Sequence, residues 1–199
     1  DFNLERHRDM FSAFPRRAIH FDFHTMPGCT DIGSRFDGQA FAATLKQCGV
    51  EYINFFAKCN LGFCYYPTKA GTMYPGLNRD LLGEAVSSCH DAGIKVSAYF
   101  NVGLSHDEAL HHRECCIVNA KVQVYEFDVM NHWFRKMCFN SGYRQHILAL
   151  VREVLENYPV DGMIFDSMNP PPCHGFECLE KIASIGLDID LPQDAADFP

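Results

Sequence analysis

The sequence lacks any apolar run close to the ~20 residues that a membrane-spanning helix needs. It also lacks a basic excess: the formal net charge is −8, which argues against nucleic acid or an anionic membrane as a partner. Residues 1–6 contain no basic segment followed by an apolar one, so we expect no secretory signal. These absences favour an ordinary globular protein.

Cysteine, by contrast, is abundant, with ten residues in the chain. In a small secreted protein that number would indicate a disulfide framework. Here several cysteines lie within apolar or helical patterns, where a free thiol behaves as a small hydrophobic side chain: Cys48, Cys59, Cys64 and Cys89. Together with the absent signal, this favours a cytoplasmic protein with reduced thiols.

Strand-like and helix-like segments alternate along the 199 residues. The predicted strands are 18–24, 50–57, 94–100 and 160–166, and the predicted helices are 36–48, 81–92, 143–158 and 176–185. Such alternation indicates a parallel sheet with right-handed crossovers. Four units are half of the eight in a closed barrel, which typically takes ~250 residues.

The predicted fold class is therefore α/β, of the parallel (β/α) barrel type, equivalent to the N-terminal half of a TIM barrel. A small complete α/β sheet is the alternative. We expect an N-terminal extension at 1–17, a barrel portion at 18–188 and an acidic tail at 189–199. Residues 105–138 do not fit the alternation: a His-rich helical piece precedes an extended stretch at 121–125. Connections this long are often functional lids.

Polar side chains follow the predicted strands at His24, Asn60, Asn101 and Asp166. The carboxyl ends of parallel strands meet at one edge, where α/β proteins place their chemistry. We therefore expect these four residues at one edge, with Asp166 within two strand spacings, ~10 Å, of its neighbours. A helix cap or an ordered turn is the alternative role for Asp166.

Five segments carry a resemblance to known proteins: 20–25, 56–69, 140–143, 161–166 and 172–173. The sequence resembles the hypothetical glycoside hydrolase-like family six over about residues 18–188. That family is similar to the family 29 α-L-fucosidases and, more distantly, to the family 42 β-galactosidases. The resemblance implies a TIM barrel that hydrolyses O-glycosidic bonds in a carbohydrate partner without a cofactor. Any homo-oligomer would form through regions outside this chain.

The same resemblance implies roles for single residues. The fucosidase nucleophile is an Asp at the end of the fourth strand, which Asp166 matches, and the general acid/base comes from a later strand. A retaining glycosidase holds these two carboxyl groups ~5–5.5 Å apart. Fucosidases also end the second strand with Ala-Lys-His-His-Asp-Gly-Phe, whose histidines hold the sugar. Cys59 and Asn60 occupy those positions here, so fucose specificity does not follow.

The candidate substrate-binding residues are His24, Lys58, Asn60, Tyr65, Tyr66 and Asn101. Lys58 and Asn60 bring a charged and an amide group to the exit of the second strand. Tyr65 and Tyr66 would form a stacking wall for a sugar, with ordinary loop packing as the alternative. Asp22 shares a strand face with His24 and is expected to order the barrel.

Two segments of the sequence suggest possible metal sites. Residues 173–178 place two thiols and an imidazole close together; a Cys-x-Cys-x-x-Cys cluster can hold zinc in family 42, but Gly175 replaces the middle Cys. Because structural zinc needs four ligands, we expect no metal; the candidate ligands would be Cys138, Cys173, His174 and Cys178. Asp22-x-His24-x-Met26 approaches the Asp-x-His-x-His of metal-dependent phosphoesterases, although Met26 is a poor ligand. A metal-dependent hydrolase is thus the alternative enzyme, and a non-catalytic sugar-binding barrel is the third hypothesis.

Overall fold

The computed structural model describes residues 14–124, 134–188 and 191. They form one parallel sheet in the order β1-β2-β3-β4, which confirms the predicted fold class. The strands are Ala18–His20 (β1), Tyr52–Lys58 (β2), Lys95–Asn101 (β3) and Gly162–Asp166 (β4). The α-helices are Gly38–Gln47 (α1), Leu81–Asp91 (α2), His106–His111 (α3), Tyr143–Asn157 (α4) and Phe176–Ser184 (α5), with a 3-10 helix at Arg113–Cys115.

The predicted helix boundaries have the expected physical causes. The Asp80 carboxylate accepts a hydrogen bond from the Gly83 N–H at 2.8 Å and so caps α2. Gly49 and Gly93 follow α1 and α2 with φ angles of 70° and 77°, which side chains with a β-carbon rarely adopt. These local signals explain why α1 and α2 end within about two residues of the predicted positions.

One face of the sheet packs against the helices and carries the apolar core. The Phe55 ring centroid lies 5.1 Å from that of Phe23 and 6.0 Å from that of Phe41 on α1. Fully buried side chains on the same face include Ile53, Val96, Ala98 and Phe100. Each large side chain buried in this way contributes ~1.5–3 kcal/mol.

The opposite face of the sheet is more polar. Paired residues of parallel strands share a face, and here the rows are His20, Asn54 and Ser97, then Phe56, Tyr99 and Ile164, then Asn101 and Asp166. At the amino end of β4, Asp161 Oδ2 accepts from the Val96 N–H at 2.8 Å and lies 2.9 Å from His90 Nε2. Asp161 therefore joins β4 to its neighbours at the edge away from Asp166.

The first strand is shorter than the prediction of 18–24. The Phe21 N–H still donates to the Asn54 carbonyl at 3.1 Å, but the Phe23 carbonyl accepts from the Tyr65 hydroxyl at 3.2 Å instead. Because β1 lies at the edge of this sheet, only β2 holds it in register, and a loop tyrosine competes successfully for its backbone.

Residues 104–124 and 134–138 form an excursion from the carboxyl edge of the sheet. Isolated antiparallel bridges join Leu104 to Lys136, Cys116 to Met137, and Val118 to Val124. The predicted extended stretch at 121–125 is wrong over its described part, because a turn passes through Val122, whose N–H donates to the Asn119 carbonyl at 2.9 Å. Tyr125, residues 1–13 of the predicted extension at 1–17, and most of the tail at 189–199 lie outside the described residues.

Two further findings bear on the expectations from composition. In the part of the chain that the structure covers, no helix combines the length and the apolar character needed to cross a membrane. All ten cysteines lie within that part and are unpaired.

Candidate active site

The carboxylate of Asp166 is held by three donors at the carboxyl end of β4. The Tyr99 hydroxyl donates to Oδ2 at 2.5 Å, and the Asn101 side-chain amide donates to the same oxygen at 3.3 Å. The Ser167 N–H donates to Oδ1 at 2.6 Å. Both oxygens are therefore engaged, which fixes the orientation of an otherwise exposed carboxylate.

The two side-chain donors are themselves fixed by the core. The Tyr99 ring stacks on Phe56 with a centroid distance of 4.3 Å and an interplanar angle of 15°. Burial raises the pKa of Tyr99, and the hydrogen bond to Asp166 raises it further, so its hydroxyl remains a donor at neutral pH. Asn101 is 2% exposed, and its Oδ1 accepts from the Leu104 N–H at 3.1 Å. That bond leaves the Asn101 NH₂ group facing Asp166.

The backbone after Asp166 is strained. Ser167 has a φ of 62°, a conformation that costs on the order of 1–3 kcal/mol for a residue with a side chain and that occurs at functional sites. This turn directs the Ser167 N–H back to Asp166. Gly103 makes room for it, because a β-carbon at position 103 would clash with the Ser167 carbonyl oxygen.

His24 lies on the β1 side of the same edge. Its ring centroid is 4.7 Å from Phe56 and 5.9 Å from Tyr99. The His20 ring is 5.2 Å from Tyr99. Tyr99 thus contacts the histidines on one side and the Asp166 carboxylate on the other, and it joins the exits of β1, β3 and β4 into one site.

The hydrogen bonds of His24 indicate its tautomer. Nδ1 accepts from the Asn60 N–H at 3.4 Å, and Nε2 lies 3.5 Å from Asp22 Oδ1. Burial lowers the pKa of His24 below 6.5, although the charges of Asp22 and Asp166 oppose this. The ring is therefore neutral at pH 7, with Nδ1 as acceptor and Nε2–H as donor. Asn60 Oδ1 is buried and has no hydrogen-bond partner among the described residues.

A cavity of about 750 Å³ borders the carboxylate. Its described lining residues are Gly103, Leu104, Phe134, Lys136, Phe165, Asp166, Ser167, Met168, Asn169 and Pro170. Of these, Asp166 is the single carboxylic acid. The cavity is large enough for a sugar ring and meets Asp166 from the side of the excursion.

The family model described as hypothetical glycosyl hydrolase 6 matches residues 37–167. The match spans well over half of the chain and ends one residue after Asp166. The chain belongs to this family. A search of curated proteins finds no match.

Solved structures of α-L-fucosidases align with most of this chain. α-L-Fucosidase isoenzyme 2 from Paenibacillus thiaminolyticus aligns with a TM-score of 0.83 and 29% identity, over 91% of this chain and 28% of that one. Thermotoga maritima α-fucosidase in complex with fucose aligns with a TM-score of 0.54 and 19% identity, over 92% and 38%. The chain thus spans less than two fifths of either enzyme, and its sheet is part of a (β/α) barrel.

The position of Lys58 in this glycosyl hydrolase-like chain corrects the prediction that it binds sugar. Phe56 pairs with Tyr99 but Lys58 pairs with Phe100, so β2 contains one extra residue. Such a bulge reverses the alternation of side chains, and Lys58 has no exposed surface. Its Nζ donates to the carbonyl oxygens of Asn101 at 2.6 Å and Leu104 at 2.9 Å. Lys58 therefore supports the loop behind the site.

Lys58→Met is expected to reveal a pH-dependent cost of burying this amine. Burial lowers the pKa of Lys58 from 10.5 to about 8. Between pH 8 and pH 10.5 the unfolded chain therefore binds more protons than the folded one. The free-energy cost of burying the charged amine is fully present below pH 8 and disappears as the pH rises to 10.5. Relative to the variant, the wild-type free energy of unfolding should rise by about 3 kcal/mol across that window.

Urea denaturation of the reduced protein at several pH values measures this difference. Other titrating groups are common to both proteins, so their contributions cancel in the comparison. The exposed Lys95→Met is the matched control and should track the wild type. A constant difference between wild type and Lys58→Met across the window would show that Lys58 titrates normally.

Tyr65 and Tyr66 do not form the predicted stacking wall, because neither side chain is exposed. The Tyr66 hydroxyl donates to Glu153 Oε2 on α4 at 3.1 Å, and the same oxygen accepts from the Thr68 hydroxyl at 2.6 Å. Both tyrosines thus follow the alternative of loop packing, since each aromatic ring is buried while its hydroxyl finds a partner.

The two metal hypotheses have different outcomes. The Sγ atoms of Cys138, Cys173 and Cys178 all lie within 4.8 Å of one another, whereas His174 is not part of this group. Within the described ranges, Asp22 and His24 do not belong to any group of three or more potential ligands. The geometry therefore gives no support to a metal-dependent hydrolase built on β1.

Two site residues were missed by the sequence analysis, Tyr99 and Ser167, whereas the period of a strand already places His20 on the polar face of His24. Tyr99 precedes Asn101 by two positions, so the period of a strand would have placed both on one face. Ser167 carried no signal, because its role depends on a backbone conformation.

Proposed function

We propose that this chain carries the nucleophile half of a retaining glycoside hydrolase, with Asp166 as the nucleophile. The observation that carries the proposal is the exposed Asp166 carboxylate, held at the carboxyl end of β4 by Tyr99, Asn101 and Ser167. Membership of a glycosyl hydrolase-like family and the similarity to the P. thiaminolyticus fucosidase support it.

In the first step, an Asp166 oxygen attacks the anomeric carbon and the bond to the leaving oxygen breaks. Oδ2 accepts two hydrogen bonds and Oδ1 accepts one, so Oδ1 is the more available nucleophile. The leaving oxygen takes its proton from a general acid. Water then hydrolyses the glycosyl ester and releases Asp166 as a carboxylate.

The sugar would be held by His24 beside this carboxylate, while the buried Asn101 acts indirectly by orienting Asp166. The His24 Nε2–H can donate to a hydroxyl, and the buried, unpaired Asn60 Oδ1 would accept from one once its side chain turns towards the sugar. The fucosidase similarity makes α-L-fucosides the first substrates to test. At position 60 this chain has Asn where the fucosidases have a histidine, so this position would select a different sugar of the same class.

Covalent trapping tests the assignment. A fluorinated glycosyl fluoride suits the test, because the ring fluorine slows turnover of the ester and the fluoride departs without a general acid. We expect the mass of the chain to increase by one glycosyl unit, located on the peptide that contains Asp166. Asp166→Asn should abolish labelling, whereas the exposed and distant Asp91→Asn should label normally. Labelling of another carboxylate instead would overturn the assignment.

A further inference from the structure

Three thiols converge outside the proposed active site. Cys138 is the last residue of the excursion, Cys173 lies in the loop after β4, and Cys178 lies in the first turn of α5. The Cys138 and Cys178 sulfurs are 3.3 Å apart, and all three lie within 4.8 Å of one another. Cys138 and Cys178 are each 6% exposed. The sequence analysis named these three cysteines among the candidate ligands but expected no metal, because Gly175 replaces the middle Cys of the related cluster.

We propose that Cys138, Cys173 and Cys178 form a binding site for a thiophilic divalent cation of the zinc class. Zinc–sulfur bonds of ~2.3 Å in tetrahedral geometry place sulfurs ~3.8 Å apart. The Cys138 and Cys178 sulfurs are 3.3 Å apart and no pair of the three is more than 4.8 Å apart, so small side-chain movements suffice. Thiolate ligands select zinc over the oxygen-preferring cations Mg²⁺ and Ca²⁺.

Hydrogen-bond donors surround the sulfurs in a way that suits thiolate ligands. The Val118 and Gly175 N–H groups approach Cys173 Sγ at 3.5 and 3.4 Å, and the Asn140 side-chain amide donates to Cys178 Sγ at 3.2 Å. Such partners hold metal ligands in place and share their negative charge.

Two more features fit the same site. Gly175 leaves room for the sulfur, since a β-carbon there would come within 3.3 Å of Cys173 Sγ. The Lys181 ammonium donates to Asn140 Oδ1 at 2.6 Å. That bond turns the NH₂ group of Asn140 towards Cys178.

The site has an open fourth position. The three thiols line a cavity of about 500 Å³ together with Pro170, Pro171 and Pro172. Three protein ligands and an open position accept water or a small thiol as the fourth ligand. A bound cation would fasten the proline-containing loop after Asp166 to residues 138–140 and to α5.

Zinc content is the first test. The reduced protein is incubated with zinc, freed of unbound metal by gel filtration and analysed by elemental mass spectrometry. We expect one zinc ion per chain, lost in Cys138→Ser, Cys173→Ser and Cys178→Ser and kept in Cys48→Ser, which removes an exposed cysteine. Asn140→Ala should weaken zinc binding by roughly 10- to 100-fold. Zinc retained in all three Ser variants would overturn the proposal.

A second measurement on the unmodified chain covers the case in which the Ser variants fail to fold. Cobalt should produce thiolate-to-metal charge-transfer absorption that zinc removes. Zinc should also protect Cys138, Cys173 and Cys178 from alkylation while Cys29 and Cys48 react at unchanged rates. Absence of the charge-transfer band, or alkylation of Cys138, Cys173 and Cys178 at the same rates with and without zinc, would refute the cation site.

Discussion

Asp166→Asn is expected to abolish glycoside hydrolysis in the natural protein that carries this sequence, at an unchanged melting temperature. An amide cannot form the glycosyl ester, so kcat should fall roughly 10³-fold or more, as when other covalent nucleophiles are removed. The fold should persist because the Asn oxygen can still accept from the Ser167 N–H, while its NH₂ group can donate to the Tyr99 oxygen after the hydroxyl rotates.

The same substitution distinguishes two roles for Asp166: the nucleophile proposed here, and the helix cap or ordered turn that the sequence also allowed. Asn and Asp cap helices about equally well, so a purely structural Asp166 would tolerate the change. Hydrolysis within a few fold of wild type, with the same melting temperature, would establish the structural role. Tyr99→Phe is the graded control: it keeps the ring stacked on Phe56 and removes one donor to the carboxylate, so its loss of kcat should be smaller.

The 199-residue chain alone is expected to cleave only glycosides whose leaving groups need no proton. Asp166 is the one carboxylate among the described residues that line the neighbouring cavity, and a missing general acid costs about 10²–10⁴-fold in rate. The outer edge of β4 has no neighbouring strand in the described sheet, and Phe165 is 43% exposed there. Further strands at this edge would cover Phe165 and bring the acid.

Rates for aryl glycosides of graded leaving-group acidity measure this effect. For this chain the rate should fall steeply as the leaving group becomes more basic, whereas a protein with a complete barrel should show a shallow dependence. If the rates of both proteins depended equally and only weakly on leaving-group basicity, the general acid would lie within this chain. Asp22 and Glu177 would then be the described candidates, and Glu126 and Asp128 lie outside the described residues.

Elements whose signals are local were predictable. Helices α1, α2 and α5 follow from apolar spacing with a cap or a glycine stop, and α4 follows from apolar spacing and ends shortly before Pro159. Each strand except β1 lies within about two residues of its prediction. The common edge of His24, Asn60, Asn101 and Asp166 followed as well, because parallel strands in a barrel-type fold all end on one side.

Features that depend on distant neighbours were not predictable. The role predicted for Lys58 was wrong because a bulge in β2 reverses the direction of its side chain, and the stacking wall was wrong because α4 supplies Glu153 to bury Tyr66. The sequence named Cys138 only as a candidate partner of Cys178, and the fold brings the two sulfurs together from 40 residues apart.

The sequence by itself determined the alternating α/β order, the helix ends and the carboxylate at the exit of β4. Periodicity, caps and glycines act within a few residues, so these features do not require the rest of the fold. Only the tertiary structure decided which polar side chains face the site, which aromatic rings are buried, and that three separate thiols meet. Those outcomes depend on strand register and on packing between segments far apart in the chain, where one extra residue in a strand reverses the direction of every side chain after it.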